Sequence, residues 1–314
     1  MDKIALENSR GKNRFIKLFK KNRSKKQRQT ITRYNRGMTQ PIKYDLHSHT
    51  TCSDGSLSPI ELVNRAVEMG VDALAITDHD TISAYQQLGP LDQQPIKIIP
   101  GIEFSTQWQN INIHILGLNI QLESDALKEG VAFQHQARKE RAVLIAKKLH
   151  QMGFQGALDG ASAIAHNDNV GRPHFAQHLV DIGAVSNIKQ AFKKYLGPGK
   201  PGDIKQLWAD MPQIIQWIRE AGGTAVLAHP TKYKLTRTKL KRLLDDLIEA
   251  GGQGMEVVSG KQIPSVTQDL ASICREKNLL GSCGSDFHRP NQQWAELGQY
   301  SVYPADCPPV WEHW

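Results

Sequence analysis

A chain of 314 residues, 39 % hydrophobic and 22 % charged, has material for one large α/β domain with an insertion, or for two domains, and for a sizeable core. Its apolar runs are too short to span a bilayer and its amino terminus is polar and basic, which excludes membrane-spanning and signal-peptide classes and predicts a soluble, cytoplasmic protein. Four cysteines, Cys52, Cys274, Cys283 and Cys307, stand far apart without a CxxC pair, so neither a disulfide framework nor a zinc ribbon is indicated.

The formal charge of +8 is concentrated at one end. Residues 1–40 hold thirteen Lys/Arg against Asp2 and Glu7, which leaves 26 basic and 29 acidic residues for the rest. With KKNRSKKQR at its centre, this segment has the composition of a disordered basic arm able to touch nucleic acid, or of a passive tail before a start at Met38.

From residue 41 the pattern alternates strand and helix. IKYDLH leads into SPIELVNRAVEMG, where Ser58 can cap a helix, Pro59 takes its first position, and Ile60, Val63, Ala66 and Val67 form an apolar face. DALAITDHD follows, then a short helical stretch, then IKIIPGIEFS and NIHILGL with no long helix between them. Residues 121–207 break the rhythm as a helical insertion, with ESDALKEGVAFQHQARKERAVLIAKKLHQMGF, FAQHLVDIG and IKQAFKKYLG helical in period. Over 208–314 the rhythm resumes with MPQIIQWIREAGG, GTAVLAHP, TKLKRLLDDLIEAGG, GMEVVSG, PSVTQDLASICREKN and LLGSCGSDFH. Seven strands are thus predicted, starting near residues 42, 72, 96, 111, 223, 254 and 279. Their continuous apolar runs read as parallel strands buried on both faces, and the simplest architecture is a closed or nearly closed β/α barrel with an insertion after the fourth strand.

Chemistry sits at the polar ends of those runs: His47 and His49, Asp54, Asp78-His79-Asp80, Glu103, His114, His229, and Asp286 with His288. Parallel sheets place functional residues at the carboxyl ends of strands, so these side chains are expected in one place. His47 and His49 are two apart and point to one side, as do Asp286 and His288. A lone strand-end histidine is usually structural, but this recurrence points to metal. Imidazoles and carboxylates without clustered thiols suit Mn, Zn or Fe rather than Ca or Mg alone.

The order HSHTTCSDG, TDHD, PGIE, HILG, AHP, GSDFH resembles the polymerase and histidinol phosphatase (PHP) family of metal-dependent phosphoesterases across residues 42 to 290. VGRPHFAQHLV, FKKYLGPGKPG and WAELG narrow the likeness to the branch acting on nucleoside 3′,5′-bisphosphates and on 5′-phosphorylated RNA, rRNA precursors among them. The resemblance implies a distorted seven-stranded barrel with two or three divalent ions, manganese first and Zn or Fe as alternatives. His47, His49, Glu103 and Asp286 would hold the first ion; Glu103 would bridge to a second held by His114 and His229. Asp54, His79 and His288 would hold the third; some relatives have a histidine near Asp54.

Such a cluster would make a hydroxide for in-line attack on phosphorus, with no protein nucleophile. Cys52 reads as packing. Asp78 and Asp80 would orient imidazoles, and the general acid is unassigned because His229 and His288 are already ligands. Arg172 and His174, opening an apolar helical run, suit a second, uncleaved phosphate, which by resemblance is a 5′-phosphate; a terminal anchor would make RNA degradation run 5′→3′ and release 5′-mononucleotides. Lys200 in LGPGKPG is a further phosphate candidate, or a plain surface lysine. Glu256 would contact ribose or serve a structural hydrogen bond, and Trp208, Trp217, Trp311 and Trp314 read as packing. No membrane and no obligate protein partner are expected. The rivals are a phosphatase of another small phosphomonoester, an amidohydrolase cleaving C–N bonds, and a degenerate nucleic-acid-binding scaffold. A third-ion ligand set argues against the amidohydrolase, and an intact ligand set against the scaffold.

Overall fold

The computed structural model describes residues 42–165, 169–205 and 207–314; the basic arm of residues 1–40 lies outside them. Seven strands form one sheet in chain order: β1 (Tyr44–Asp45), β2 (Ala73–Ile76), β3 (Lys97–Trp108), β4 (Ile111–Leu118), β5 (Thr224–Leu227), β6 (Gly254–Ser259) and β7 (Leu280–Gly284). Each begins within two residues of the position indicated by the apolar runs. The sheet closes on itself: Leu46 N–H donates to Cys283 at 3.0 Å, Asp286 N–H to His47 at 2.9 Å and His49 N–H to Phe287 at 2.9 Å. The barrel therefore has a β1–β7 seam, with metal-type side chains on both of its sides.

One strand runs against expectation. β4 is antiparallel to both neighbours, pairing Ser105 with His114 and Ile115 with Leu227. A run buried on both faces carries no mark of its direction, but a two-residue connection through Gln109 and Asn110 permits only a hairpin. The reversal puts the beginning of β4, where His114 lies, at the same barrel end as the carboxyl termini of the parallel strands. Glu103 is likewise in mid-strand rather than at a strand end. The β2–β3 pairing stops at Ile76–Pro100, and beyond it β3 continues as the hairpin arm that carries Glu103.

Leu46, Ala75, Ile99, Leu116, Leu118, Val226 and Ala228, from five successive strands, share one buried cluster with Val310. Side chains from so many strands of a closed sheet meet only inside it. Trp311 stacks on Tyr44 with ring centroids 4.5 Å apart, and Trp314 Nε1 donates to Thr224 Oγ1 at 3.0 Å, so the carboxyl-terminal segment packs on the barrel as the tryptophan pattern suggests.

Outside the strands lie α1 (Pro59–Glu68), α2 (Ser83–Leu88), α3 (Asp125–Gln151), α4 (Ala157–Ala165), α5 (Arg172–Asp181), α6 (Ile188–Ala191), α7 (Met211–Glu220), α8 (Arg237–Glu249) and α9 (Pro264–Glu276). Ser58 caps α1 in a reciprocal box with Glu61, and Pro59 opens it. Its buried stripe is Pro59, Leu62, Val63 and Ala66; Ile60 falls one position off that 3–4 spacing and is 57 % exposed, so the expected face is corrected by one residue. The small-residue helix α4 was not anticipated, although Ala157, Ala161 and Ala165 mark its buried side at a four-residue period. Helices α3 to α6 stand between β4 and β5 and carry their own apolar cluster around Phe175, Leu149, Leu179 and Leu196. No helix among the described residues is long and apolar enough to cross a membrane.

Candidate metal centre

Glu103 is the hub of the barrel's open end. Its Oε1 lies 2.8 Å from His114 Nδ1 and 2.9 Å from His229 Nε2; its Oε2 lies 3.1 Å from His79 Nδ1, 3.2 Å from His49 Nε2 and 3.3 Å from His47 Nε2. Asp286 Oδ1 is 3.5 Å from Nε2 of both His47 and His49, while Asp54 Oδ1 is 3.4 Å from His288 Nε2. All nine residues singled out for ligation thus converge, in four groups able to hold an ion: His47-Glu103-His229, His47-His49-Asp286, His79-Glu103-His114, and His49-Asp54-His79-His288. The partition differs from the expected one. His229 sits with His47, His79 also joins the Glu103-His114 group, and His49 reaches both Asp286 and Asp54.

The donor set fits divalent cations. His47 Nε2 and His49 Nε2 face each other at 3.2 Å, an arrangement of lone pairs that a shared cation relieves. Buried Asp54 Oδ1, His79 Nδ1, Glu103 Oε2 and His229 Nδ1 have no hydrogen-bond partner, and leaving such atoms unsatisfied is costly unless something binds them. Nitrogen and carboxylate donors without thiolate match Mn, Fe or Zn. His229 and Asp286 adopt left-handed backbone angles, φ +24° and +55°, strain of the kind that functional sites retain.

Electrostatics set Glu103, Asp54, His79 and His229 in their binding forms, whereas His47 holds a proton that a cation would displace. Burial would raise Glu103, but His79, His47 and His114 hold it well below the usual carboxylate range; burial would also raise Asp54, which His288 and His79 keep well below it. Burial pushes His79 well down and brings His229 down to about 3, so both present neutral imidazoles. At His47 burial opposes protonation, yet Glu256 and Glu103 outweigh it and push the imidazole up to about 10.

Of three supporting carboxylates, Asp78 and Asp80 depart from their expected roles and Glu256 takes the structural one of its two. Glu256 is fully buried, with Oε1 3.1 Å from His47 Nδ1 and Oε2 accepting from His229 N–H at 2.5 Å. It has no open face for ribose; it fixes the His47 ring so that Nε2 points at the cluster. Asp78 accepts from Thr50 N–H at 2.7 Å, Thr50 Oγ1 at 2.6 Å and Ser53 Oγ at 2.5 Å, and so orders the loop that carries Asp54 rather than an imidazole. Asp80 accepts from Ser105 N–H, Ser105 Oγ, Gln134 and Arg138, tying β3 to α3; burial would raise it, but Arg138 and the Ser105 backbone hold it below the usual range. Cys52 is buried among Leu62, Val63 and Leu88, as packing requires.

Two cavities share His79, Asn112, His114, Arg172 and Phe192. The smaller, about 110 Å³, is walled by Asp54, Arg138, Arg141 and Arg172. Arg172 Nη1 donates to Leu196 O and Asp203 Oδ1, each at 3.3 Å, long contacts that leave the fork free to turn. Arg141 Nε donates to Ile204 O at 2.9 Å, and burial together with Arg172 and Arg138 depresses its guanidinium well below the usual range. Trp208 forms the floor, 5.2 Å from Arg138 and 5.1 Å from Arg141, which makes it a cavity wall and not only packing. His174 Nδ1 accepts from Gly171 N–H at 3.0 Å, capping α5 at the cavity edge. The larger cavity, about 840 Å³, is lined by His229, Lys232, Lys234, Asp286 and Lys205; Lys200 is exposed and lines neither cavity.

Sequence reasoning missed Arg138, Arg141 and Lys232, whose ammonium contacts Asp286. A signal for the arginines existed: Gln134, Arg138 and Arg141 occupy the same face of α3 as buried Leu127, Gly130, Ala137 and Ala142, polar residues where the period demands apolar ones.

Comparisons with known proteins place the chain among relatives. The chain is 45 % identical over 279 residues to the 5′-3′ exoribonuclease Rnm of Escherichia coli, covering 87 % of this chain and 94 % of that protein. It is 39 % identical over 269 residues to a 3′,5′-nucleoside bisphosphate phosphatase of Chromobacterium violaceum, covering 85 % and 94 %. A solved structure from C. violaceum, described as an amidohydrolase with bound sulfate and no metal, superposes with a TM-score of 0.80 at 38 % identity, covering 86 % of this chain and 95 % of that one. The PHP domain model matches residues 45–251, and with these relatives it establishes that the chain belongs to the PHP domain family.

Proposed function

We propose that this chain is a metal-dependent phosphoesterase that removes the 3′-phosphate of nucleoside 3′,5′-bisphosphates and degrades 5′-phosphorylated RNA from its 5′ end, releasing 5′-mononucleotides. The observation that carries the reading is the small cavity, where three guanidiniums face a wall made by Asp54, His79 and His114. Among the described residues Asp80 and Asp203 pair with these guanidiniums and Asp54 across the cavity belongs to the metal cluster, so the three like charges gathered at one place suit an anion. Because this chamber adjoins the cluster, an anion in it is bound beside the reacting group without being the reacting group.

Two or three divalent ions, manganese foremost, would be held by His47, His49, Glu103, Asp286, His114, His229, Asp54, His79 and His288. When bound, they supply Lewis-acid activation of a water and neutralise phosphoryl oxygens. Glu256 keeps His47 Nε2 turned toward the cluster, and Asp78 keeps the Asp54 loop in place. Arg172, with Arg141 beside it, binds the 5′-phosphate of the substrate through its planar fork and so aligns the 3′-phosphorus. Residues 121–207, which contribute these arginines, are the substrate-selecting part of the chain. A chamber of about 110 Å³ has room for a terminal phosphate, and an anchor of that kind sets attack at the first internucleotide bond. The same chamber favours a phosphate-bearing substrate over a C–N bond, and an undecayed set of nine donors speaks against a binding-only scaffold.

The test compares release from a 3′,5′-bisphosphonucleoside, a 5′-phosphorylated oligoribonucleotide and histidinol phosphate with manganese present. Turnover of the first two and not the third is expected. Preference for histidinol phosphate, or for an RNA with a 5′-hydroxyl, overturns the reading.

A further inference from the structure

We propose that the larger cavity is the track along which RNA downstream of the scissile bond leaves the metal centre, with Lys234 and Lys205 as its phosphate contacts. This rests on the phosphoesterase reading above and adds the place of the second and third nucleotides.

The two cavities differ as a terminal and a passage would. The guanidinium chamber is about 110 Å³, whereas the second cavity is about 840 Å³, within the range that encloses ligands of several rings. Both touch His79, His114, Asn112, Arg172 and Phe192, while Glu103, His229, Asp286 and His288 line only the larger one, so a phosphate on the cluster lies at the mouth of the larger space with the chamber beside it. Cleavage of the bond between the 3′-oxygen and phosphorus puts the first nucleoside on the chamber side. The phosphorus stays with the next nucleotide and lies toward the larger space.

Its lining suits a single strand. Lys234, exposed and held in a left-handed backbone conformation with φ +52°, projects from the turn between β5 and α8 and has no carboxylate partner among the described residues. Lys205 borders the cavity from the insertion; its Nζ donates to Asn110 O at 2.7 Å and pairs with Asp203 at 3.2 Å, which fixes it beside the β3–β4 turn. Tyr233 and Ile111 add flat and apolar surface to the same lining. The Tyr233 ring is fixed by its hydroxyl, which donates to Ala228 O at 2.8 Å and accepts from His114 N–H at 3.0 Å. Cations together with an immobilised aromatic face form the usual combination for sequence-tolerant single-strand binding. Lys205 shares Asp203 with Arg172 and so stands at the near end of the track, whereas a mononucleotide bisphosphate, ending at the cluster, stops short of Lys234.

The unmodified protein gives the first test, through kcat/KM for 3′,5′-bisphosphoadenosine and for 5′-phosphorylated oligoadenylates of two, three and four residues. The value should rise over the first one or two added nucleotides and then level. In Lys234→Gln, kcat/KM for the trinucleotide should fall about tenfold, mainly through KM, with a much smaller change for the bisphosphonucleoside. Its salt slope for oligonucleotide binding should drop by about 0.7, the single-strand value for one phosphate contact, and Lys234→Arg should restore both. A flat length series, or equal losses on bisphosphonucleoside and oligonucleotide, overturns the track while leaving the phosphoesterase reading intact. Absence of hydrolysis of every one of these substrates in the unmodified protein overturns that reading itself.

Discussion

Glu256 Oε1 lies 3.1 Å from His47 Nδ1, on the opposite edge of the imidazole from the nitrogen that faces His49. Because the other Glu256 oxygen accepts from the His229 backbone, one carboxylate orients a side chain on β1 and the turn after β5 together. Glu256→Gln can satisfy only one of these donors and turns an amide N–H₂ on the other. Metal affinity should fall about 10–100-fold, the usual cost of losing such a partner, while turnover at saturating metal recovers most of its value. The measurement is metal content after dialysis at graded free-ion concentrations; unchanged affinity would remove Glu256 from the support of the site.

Glu103 touches five imidazoles and is itself fully buried; two of the four groups able to hold an ion contain it, and the other two share imidazoles that it contacts. Chelation of the purified protein should abolish phosphate release, and manganese should restore it. Glu103→Ala, His47→Ala and Asp286→Ala should each lose several orders of magnitude in turnover, because the activated water is lost along with the ions. Full turnover in a sample shown by elemental analysis to be metal-free would refute the metal-dependent reading.

Most ligand residues were legible because they end or interrupt an apolar run, as His229 does after TAVLA and His114 does within NIHILGL. Apolar runs also located the strands, but hydrophobicity has no direction, and the antiparallel course of β4 was to be found only in the shortness of the Gln109-Asn110 connection. Supporting carboxylates were harder to read. Asp78 and Asp80 flank His79 in sequence, yet adjacent residues point apart, and their partners, Ser53 and Arg138, are 25 and 58 positions away. Glu256 in GMEVVSG read equally as a ribose contact or as a structural hydrogen bond, and the closure of the barrel, which buries it beneath His47, selects the second.

Arg172 and Arg138 wall one chamber and should separate cleanly on substitution. Arg172, held by two contacts of 3.3 Å, is poised for an incoming phosphate, so Arg172→Ala should reduce hydrolysis of 5′-phosphorylated substrates by a factor of about 100 or more and that of a simple aryl phosphate far less. Arg172→Lys should recover only part, since it lacks the bidentate fork. Arg138 is committed to Asp80, with both side chains nearly inaccessible, and Arg138→Ala should lower folding stability by about 3 kcal/mol because a buried charge loses its partner. Denaturant melts and paired-substrate kinetics distinguish the two. Equal losses on both substrates in Arg172→Ala would reassign that residue to structure.

Gly284 closes the barrel beside the site. A Cβ placed there would lie 2.5 Å from His47 Cβ and 2.6 Å from His47 N, neither of which is a flexible side-chain end that could move aside. The hydrogen bonds from Leu46 N–H to Cys283 and from Asp286 N–H to His47 pin the seam on either side of this contact, so Gly284→Ala must pry β7 from β1. Overpacking of this kind costs about 1–3 kcal/mol in stability, which a protein of this size can survive. The effect on the site should be larger than the effect on the fold. His47 Nε2 and Asp286 Oδ1 stand 3.5 Å apart across the seam, and a ligand pair tolerates displacements of only about 0.2 Å. Gly284→Ala should therefore yield a folded protein with a modestly lowered melting temperature and strongly weakened metal binding. Calorimetric titration with manganese, alongside thermal melts of the metal-free forms, measures the two effects separately. Wild-type affinity in a folded Gly284→Ala protein would show that the seam does not set the spacing of the ligands.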